Sequence, residues 1–80
     1  MTRILTVDDS RAVRTIIGKT LRTQFEILEA EDGEKGLGVL SEETVDLVLL
    51  DVTMPVMDGP EMLKRMRERG DKTPVILLTA

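Results

Sequence analysis

The sequence predicts an α/β domain, a doubly wound parallel β-sheet that is incomplete, with four strands and three helices. Stretches typical of strands and helices alternate along the 80 residues, beginning and ending with a strand. The central stretch, Val45–Asp51, is almost continuously Leu and Val, as in a strand that helices cover on both faces. Because a helix separates each pair of successive strands, right-handed crossovers and parallel pairing are expected.

The first predicted strand is Ile4–Val7, a short apolar run that ends at Asp8. Either Asp9 or Ser10 can cap the following helix by accepting from its free backbone N–H groups. The apolar residues of that helix recur at helical spacing and fall on one face: Ala12, Val13, Ile16, Ile17 and Leu21.

The second predicted strand, Phe25–Ala30, alternates enough to be an edge strand half open to water. Asp32-Gly33 is typical of a turn. A short, weak second helix follows, in which Gly36 and Gly38 lower the helix propensity around the apolar Leu37 and Leu40.

After the central strand and its loop, Pro60 suits the first turn of a third helix, where its missing N–H costs nothing. That helix directs Met62, Leu63 and Met66 inward, and Gly70 ends it. The last predicted strand is Val75–Leu78.

Composition excludes several classes of function. The net charge of −4 argues against nonspecific nucleic-acid binding. The chain has neither Cys nor His, so a bound metal must be a hard, oxygen-bound cation such as Mg²⁺. Neither a signal peptide nor a membrane span is expected, because only a short apolar run follows Arg3 and no apolar stretch reaches ~18 residues; a cytoplasmic protein is expected.

Acidic residues follow two predicted strands where each strand ends: Asp8 and Asp9 after the first, and Asp51 at the end of the third. Open α/β sheets bind ligands at this edge. If the strands are neighbours, the carboxylates meet and repel unless a divalent cation lies among them. Thr79, at the end of the fourth strand, brings a hydroxyl that can donate to a phosphoryl oxygen. The pattern indicates a metal–phosphate site with Asp51 as nucleophile.

Each residue also has a simpler interpretation. Asp9 alone is a good helix cap, Asp58-Gly59 is a common turn, and Asp51 alone is an acid at a strand end. The basic cluster Lys64–Arg69 is typical of a solvated helix end. The combination favours the site, because every acid lies at the ligand-binding end of its strand.

The motifs Val7–Ser10, Leu49–Gly59 and Val75–Ala80 resemble the receiver domain of two-component response regulators, and the start of the chain is most similar to single-domain, CheY-like chemotaxis receivers. The resemblance covers the whole chain in register. It implies the flavodoxin-like (CheY-like) fold, with strand order 2-1-3-4 for the part present. It also implies a signalling domain, not an enzyme in the ordinary sense, that when complete catalyses its own phosphorylation and dephosphorylation.

The resemblance implies particular roles. Asp51 would be the phosphoacceptor, receiving a phosphoryl group from a sensor histidine kinase or a phosphotransfer protein. Asp9 would bind Mg²⁺ directly and Asp8 largely through water, with Asp51 and the backbone carbonyl of Thr53 as further ligands. Thr79 would be the switch hydroxyl, with the small Ala80 beside it.

The family pattern continues with a fourth helix, a fifth strand bearing a lysine, and a fifth helix. We therefore expect residues 1–80 to be the amino-terminal part of a single receiver domain, truncated after the fourth strand. Without the lysine, Mg²⁺ binding is expected to be weak and phosphorylation poor. The uncovered fourth-strand edge predicts a homo-oligomer.

Two alternatives remain at this stage. One is a truncated or engineered structural fragment that oligomerises without phosphotransfer. The other is a haloacid-dehalogenase-like phosphatase, which also uses a strand-end Asp and Mg²⁺ but places an acid/base Asp where this chain has Thr53. A Walker-type nucleotide site is excluded, because no Gly-rich loop with Lys is present.

Overall fold

The computed structural model describes residues 1–79; Ala80, and with it the predicted small neighbour of Thr79, lies outside the described residues. Four strands and three helices alternate in the predicted sequence. Their bounds are β1 Arg3–Val7, α1 Arg11–Leu21, β2 Glu26–Ala30, α2 Gly33–Glu42, β3 Leu47–Asp51, α3 Gly59–Glu68 and β4 Val75–Leu78.

All strand pairs are parallel, and the order β2-β1-β3-β4 confirms the predicted arrangement. In the register, Val7 of β1 lies beside Leu50 of β3, and Asp51 lies beside Leu78 of β4. The carboxyl ends of β1, β3 and β4 therefore meet at one edge of the sheet. Among residues 1–79, no helix is long and apolar enough to span a membrane.

One face of the sheet carries the main core. Side chains of alternate positions on β1 and β3 pack with α2, α3 and the loop before α3. The buried members of this core are Leu5, Val7, Ala30, Leu37, Val48, Leu50, Met54, Met57, Met62 and Met66. The methionines fill it as predicted, since Met62 and Met66 are fully buried.

Helix α1 lies on the other face. The crossover from β1 to β2 runs in one direction across the sheet, and those from β2 to β3 and from β3 to β4 run in the other. Right-handed crossovers in opposite directions place their helices on opposite faces. This face is thinly covered. Val13 and Ile16 of α1 are 38% and 64% exposed, and Ile76 of β4 is 49% exposed. The apolar face predicted for α1 exists, but within residues 1–79 it is only partly packed.

A network around Arg3 ties the amino edge of the sheet together. Its backbone N–H donates to the Asp46 carboxylate at 2.8 Å, and its guanidinium donates to the Thr44 carbonyl at 2.9 Å. Ion pairs with Glu26 and Glu43 complete the network. Asp46 thus precedes the strand, so β3 is shorter than the predicted Val45–Asp51.

Two predicted turns are helix starts. The side chain of Asp32 accepts from the N–H of Lys35 at 2.8 Å, so α2 begins at Gly33 and spans ten residues. Likewise, Asp58 caps α3 by accepting from the N–H of Glu61 at 2.9 Å. In both cases the carboxylate satisfies a free helix donor, which a turn would not require.

The two interior glycines of α2 allow a matched stability test. A Cβ on Gly36 would lie 2.8 Å from Met62 Cε and 3.1 Å from Val7 Cγ2, whereas one on Gly38 would meet nothing within 4 Å. Gly38→Ala is expected to stabilise the fold by about 0.5–1 kcal/mol through helix propensity alone. Gly36→Ala is expected to lose that gain or to destabilise, because the core must shift. Denaturant unfolding measures both, and equal effects would contradict this packing.

Candidate functional site

The site lies at the carboxyl edge of the sheet, in a cleft of about 340 Å³. Each wall comes from a strand end or from the start of α1. The lining residues are Asp8, Asp9, Ser10, Val13, Asp51, Leu78 and Thr79. Three predicted carboxylates and the predicted hydroxyl therefore share one cleft, and the register of three parallel strands brings them together.

The carboxylates are close to one another. One oxygen from each of Asp8, Asp9 and Asp51 lies within 4.8 Å of the others. Asp8 is buried, Asp9 is exposed and Asp51 is intermediate. This gradient of burial gives the cluster one protected acid and one that faces water.

Burial and the neighbouring negative charges both change the pKa of Asp51. Burial raises the pKa of Asp51 above its ordinary value, and the negative charges of Asp8 and then Asp9 raise it further. Backbone N–H groups of Thr53 and Val52 oppose these effects. Without a cation, the ionised form of Asp51 is therefore disfavoured.

The chain between β1 and α1 holds Asp8 and Asp9 in place. The backbone N–H of Asp8 donates to the Ala30 carbonyl at 3.1 Å, and its carboxylate accepts from the N–H of Ser10 at 2.8 Å. Ser10, not Asp9, caps α1 by accepting from the N–H of Val13 at 3.3 Å. The simpler interpretation of Asp9 as a cap is wrong, and its carboxylate is left to the cluster.

The loop after Asp51 is tightly folded against the strand end. A Cβ on Gly59 would lie 2.3 Å from the Asp51 carbonyl oxygen, and the Gly59 N–H donates to the Val52 carbonyl at 3.0 Å. Only glycine allows this approach. Val56, at the tip, has a φ of 69°, which is strained for a β-branched residue.

Thr53 and Thr79 both lie close to Asp51. The N–H of Thr53 donates to Asp51 Oδ1 at 3.4 Å, a long contact. Thr79 lines the cleft directly after β4. Both are exposed, so their polar groups are available to a ligand.

The donor set fits a magnesium ion. Mg²⁺ takes oxygen ligands at about 2.0–2.1 Å, so opposite ligands in an octahedron are about 4.2 Å apart. Adjacent ligands are about 2.9 Å apart, so the three carboxylate oxygens, all within 4.8 Å of one another, must move closer together or bind partly through water. The chain has no His and no Cys, which disfavours softer metals.

The lining of the cleft includes no cationic side chain from residues 1–79. Behind the cluster, Arg14 Nη1 donates to the backbone carbonyl of Asp8 at 2.5 Å. The sequence analysis did not single out Arg14. Its position one turn after the Ser10 cap was the available signal, since such a residue points back towards the helix start.

The structure is a doubly wound α/β domain with a carboxylate cluster at the carboxyl edge of its sheet, and comparison with known proteins gives its family. The model of the response regulator receiver domain matches residues 4–80. The chain therefore belongs to the response regulator receiver family, and the predicted resemblance is confirmed. Response regulator MprA of Mycolicibacterium vanbaalenii is 40% identical over 79 residues, which are 98% of this chain and 34% of that protein. The chain thus spans about a third of the length of the curated relatives it matches.

Solved receiver structures superpose closely. TrrA from Thermotoga maritima, in a complex with Mg²⁺ and BeF, has a TM-score of 0.93 and 38% identity over all of this chain and 70% of that one. The Francisella response regulator 1452 receiver domain has a TM-score of 0.95 and 28% identity, covering 100% and 67%. Vibrio cholerae CheY4 has a TM-score of 0.91 and 34% identity, covering 96% and 67%. The CheY-like fold is confirmed.

The raised pKa of Asp51 predicts a pH-dependent effect of Asp51→Asn in metal-free protein. The folded state holds the Asp51 proton to higher pH than the unfolded chain does, so stability falls as the pH rises through the raised pKa. The neutral amide does not ionise. Metal-free Asp51→Asn should therefore melt at a higher temperature than the wild type at pH about 7, and the difference should shrink towards pH about 4.

Thermal unfolding in EDTA across this pH range measures the effect. Glu68→Gln, which neutralises an exposed carboxylate at the end of α3, is the matched control and should show no such pH-dependent difference. A metal-free Asp51→Asn protein no more stable than the wild type at neutral pH would contradict the crowding of charge at the site.

Proposed function

We propose that this domain accepts a phosphoryl group on Asp51 from a histidine kinase or a phosphotransfer protein, with Mg²⁺ held by the carboxylate cluster. One observation carries the proposal: three carboxylate oxygens lie within 4.8 Å of one another in a cleft that Thr79 also lines. Membership of the receiver family supports it, as does the similar TrrA, whose structure is a Mg²⁺–BeF complex.

In this proposal, an Asp51 carboxylate oxygen attacks the phosphorus of the donor. An O–P bond forms to Asp51 while the P–N bond to the donor imidazole breaks, and the imidazole leaves with a proton from solvent. Bound Mg²⁺ supplies positive charge that offsets the phosphoryl and carboxylate charges. Asp8, Asp9 and the Thr53 carbonyl are its proposed protein ligands beside Asp51.

The other residues orient the reaction. The long contact from the Thr53 N–H to Asp51 Oδ1, at 3.4 Å, is proposed to help orient the attacking carboxylate. Thr79 is proposed to donate its hydroxyl to a phosphoryl oxygen, and this bond would report the phosphorylated state to β4. Val13 and Leu78 add apolar lining to the cleft.

Because no cationic side chain of residues 1–79 lines the cleft, transfer by this chain should be slow. Losing one charge-assisted contact to a phosphoryl group weakens transition-state stabilisation by roughly 2–4 kcal/mol, on the scale of an oxyanion-hole donor.

The two alternative functions, a phosphatase and a structural fragment without phosphotransfer, are disfavoured. A phosphatase of the haloacid-dehalogenase type needs an acid at Thr53, and the family match argues against both it and a purely structural fragment.

The test combines two measurements on the chain. With acetyl phosphate and Mg²⁺, intact-mass spectrometry should show slow, incomplete gain of one phosphoryl group, which is lost in Asp51→Asn and kept in Glu68→Gln. With Mg²⁺ and beryllofluoride, the amide signals of Thr53 and Thr79 should shift in the wild type and not in Asp51→Asn. Phosphorylation that persists in Asp51→Asn, or no beryllofluoride response at all, would refute the acceptor site. Prompt stoichiometric phosphorylation would refute the weak-site expectation.

We also propose that the chain self-associates through β4. Among residues 1–79, β4 pairs only with β3, so its outer backbone groups have no strand partner. Ile76 and Leu77 are 49% and 42% exposed, one on each face of the sheet. An open apolar edge of this kind favours pairing with a second copy.

Light scattering at high concentration should show a dimer or larger oligomer. Ile76→Lys, which places a charge beside the edge, should shift the equilibrium towards monomer at least tenfold. The matched control is Val56→Lys in the loop between β3 and α3, which is also exposed and should leave association unchanged. A monodisperse wild-type monomer, or disruption by Val56→Lys alone, would overturn the proposed edge.

A further inference from the structure

Arg14 connects three elements beneath the acidic cluster. It belongs to α1, its Nη1 donates to the Asp8 carbonyl at the end of β1 at 2.5 Å, and its Nε donates to Glu29 Oε1 on β2 at 3.2 Å. Its side chain is only 13% exposed. Arg14 is absent from the residues that line the cleft, so it contacts the backbone that carries the acids instead of a ligand.

We propose that Arg14 is a positioning residue that aims the carboxylate of Asp9 at the metal. The carbonyl oxygen of Asp8 and the N–H of Asp9 belong to one planar peptide unit. Anchoring that oxygen therefore fixes the orientation of the peptide from which Asp9 continues. This inference rests on the proposed function of the cluster as a Mg²⁺ site.

The surroundings explain why this peptide needs an anchor. Asp8 is held on its other side, since its N–H donates to the Ala30 carbonyl and its carboxylate accepts from Ser10. Asp9 has no such support: it is exposed and does not cap α1. Repulsion from Asp8 and Asp51 disfavours the position of its carboxylate in the cluster, and the peptide that precedes it helps to keep it there.

The geometry also requires arginine. The planar guanidinium presents N–H groups in two directions, which lets Arg14 bind the Asp8 carbonyl and Glu29 together. The single ammonium of a lysine can approach one of these acceptors but does not reproduce the fork. The guanidinium of Arg14 forms an ion pair with Glu29, and another of its N–H groups donates to the Asp8 carbonyl.

A matched control exists in the same helix region. Arg22 also contacts Glu29, through Nη2 at 3.5 Å, but it is 56% exposed and has no contact with Asp8. If Arg14 acts only through its ion pair, Arg14→Met and Arg22→Met should behave alike. If it acts through the Asp8 carbonyl, only Arg14→Met should affect the cluster.

The experiment measures Mg²⁺ affinity and metal-free amide spectra of the chain. Arg14→Met should weaken Mg²⁺ binding about tenfold, the scale for loss of an outer contact to a metal ligand, and should shift the Asp9 and Ser10 amides without metal. Arg22→Met should change affinity less than about twofold. Arg14→Lys should fall between Arg14→Met and the wild type.

The outcomes separate the inference from the proposed function. A wild-type protein that binds no Mg²⁺ refutes the metal site. The amide shifts of metal-free Arg14→Met still test whether Arg14 positions the peptide before Asp9. Wild type that binds Mg²⁺, with equal affinity and unshifted amides in Arg14→Met, overturns the positioning role. If Arg14→Met unfolds, Glu29→Gln provides the test. The amide oxygen of this variant still accepts from Arg14 Nε, so a Mg²⁺ affinity near that of the wild type is expected. A loss of Mg²⁺ affinity equal to that of Arg14→Lys would contradict the role of the carbonyl contact.

Discussion

The site depends on one constraint, the parallel register that ends β1 and β3 at the same edge of the sheet. It forces Asp8, Asp9 and Asp51 within 4.8 Å of one another. At an effective dielectric constant of about 20, two unit charges at this spacing repel by about 3–4 kcal/mol. The strands do not relax apart, because residues just behind the acids, such as Val7 and Leu50, are fully buried. The repulsion among the three carboxylates therefore persists in the folded protein, and a bound cation would relieve it.

The two faces of the sheet support this edge unequally. Helices α2 and α3 seal one face with a methionine-rich core, which anchors β3 and the loop that returns to Asp51 through Gly59. The α1 face is open around Ile16 and Ile76, so the cleft continues into exposed apolar surface. The strand that ends at Asp51 is therefore packed on one face against a buried core, while the face shared by α1 and β4 is more exposed.

Much of this arrangement was predictable from the sequence, because strand order and site follow from local patterns. The Leu- and Val-rich run that ends at Asp51 identified the central strand, and the acids at strand ends identified the cleft. Patterns failed where a carboxylate has two local uses. Asp32 and Asp58 cap helices where turns were predicted, and Ser10 displaced Asp9 as the cap. Long-range contacts, such as those of the Arg3 network, leave no periodic signal and required the structure.

The Arg3 network and the carboxylate cluster occupy opposite ends of the same strands. The free amino end of α1, whose N–H groups carry partial positive charge, points to the acidic end. The three carboxylates make the cleft a local centre of negative charge, which the helix start partly offsets. Such a centre attracts small cations, and dissolved salt weakens the attraction. The ion-pair network that stabilises the sheet and the carboxylate cluster of the cleft are thus separated by the full length of β1.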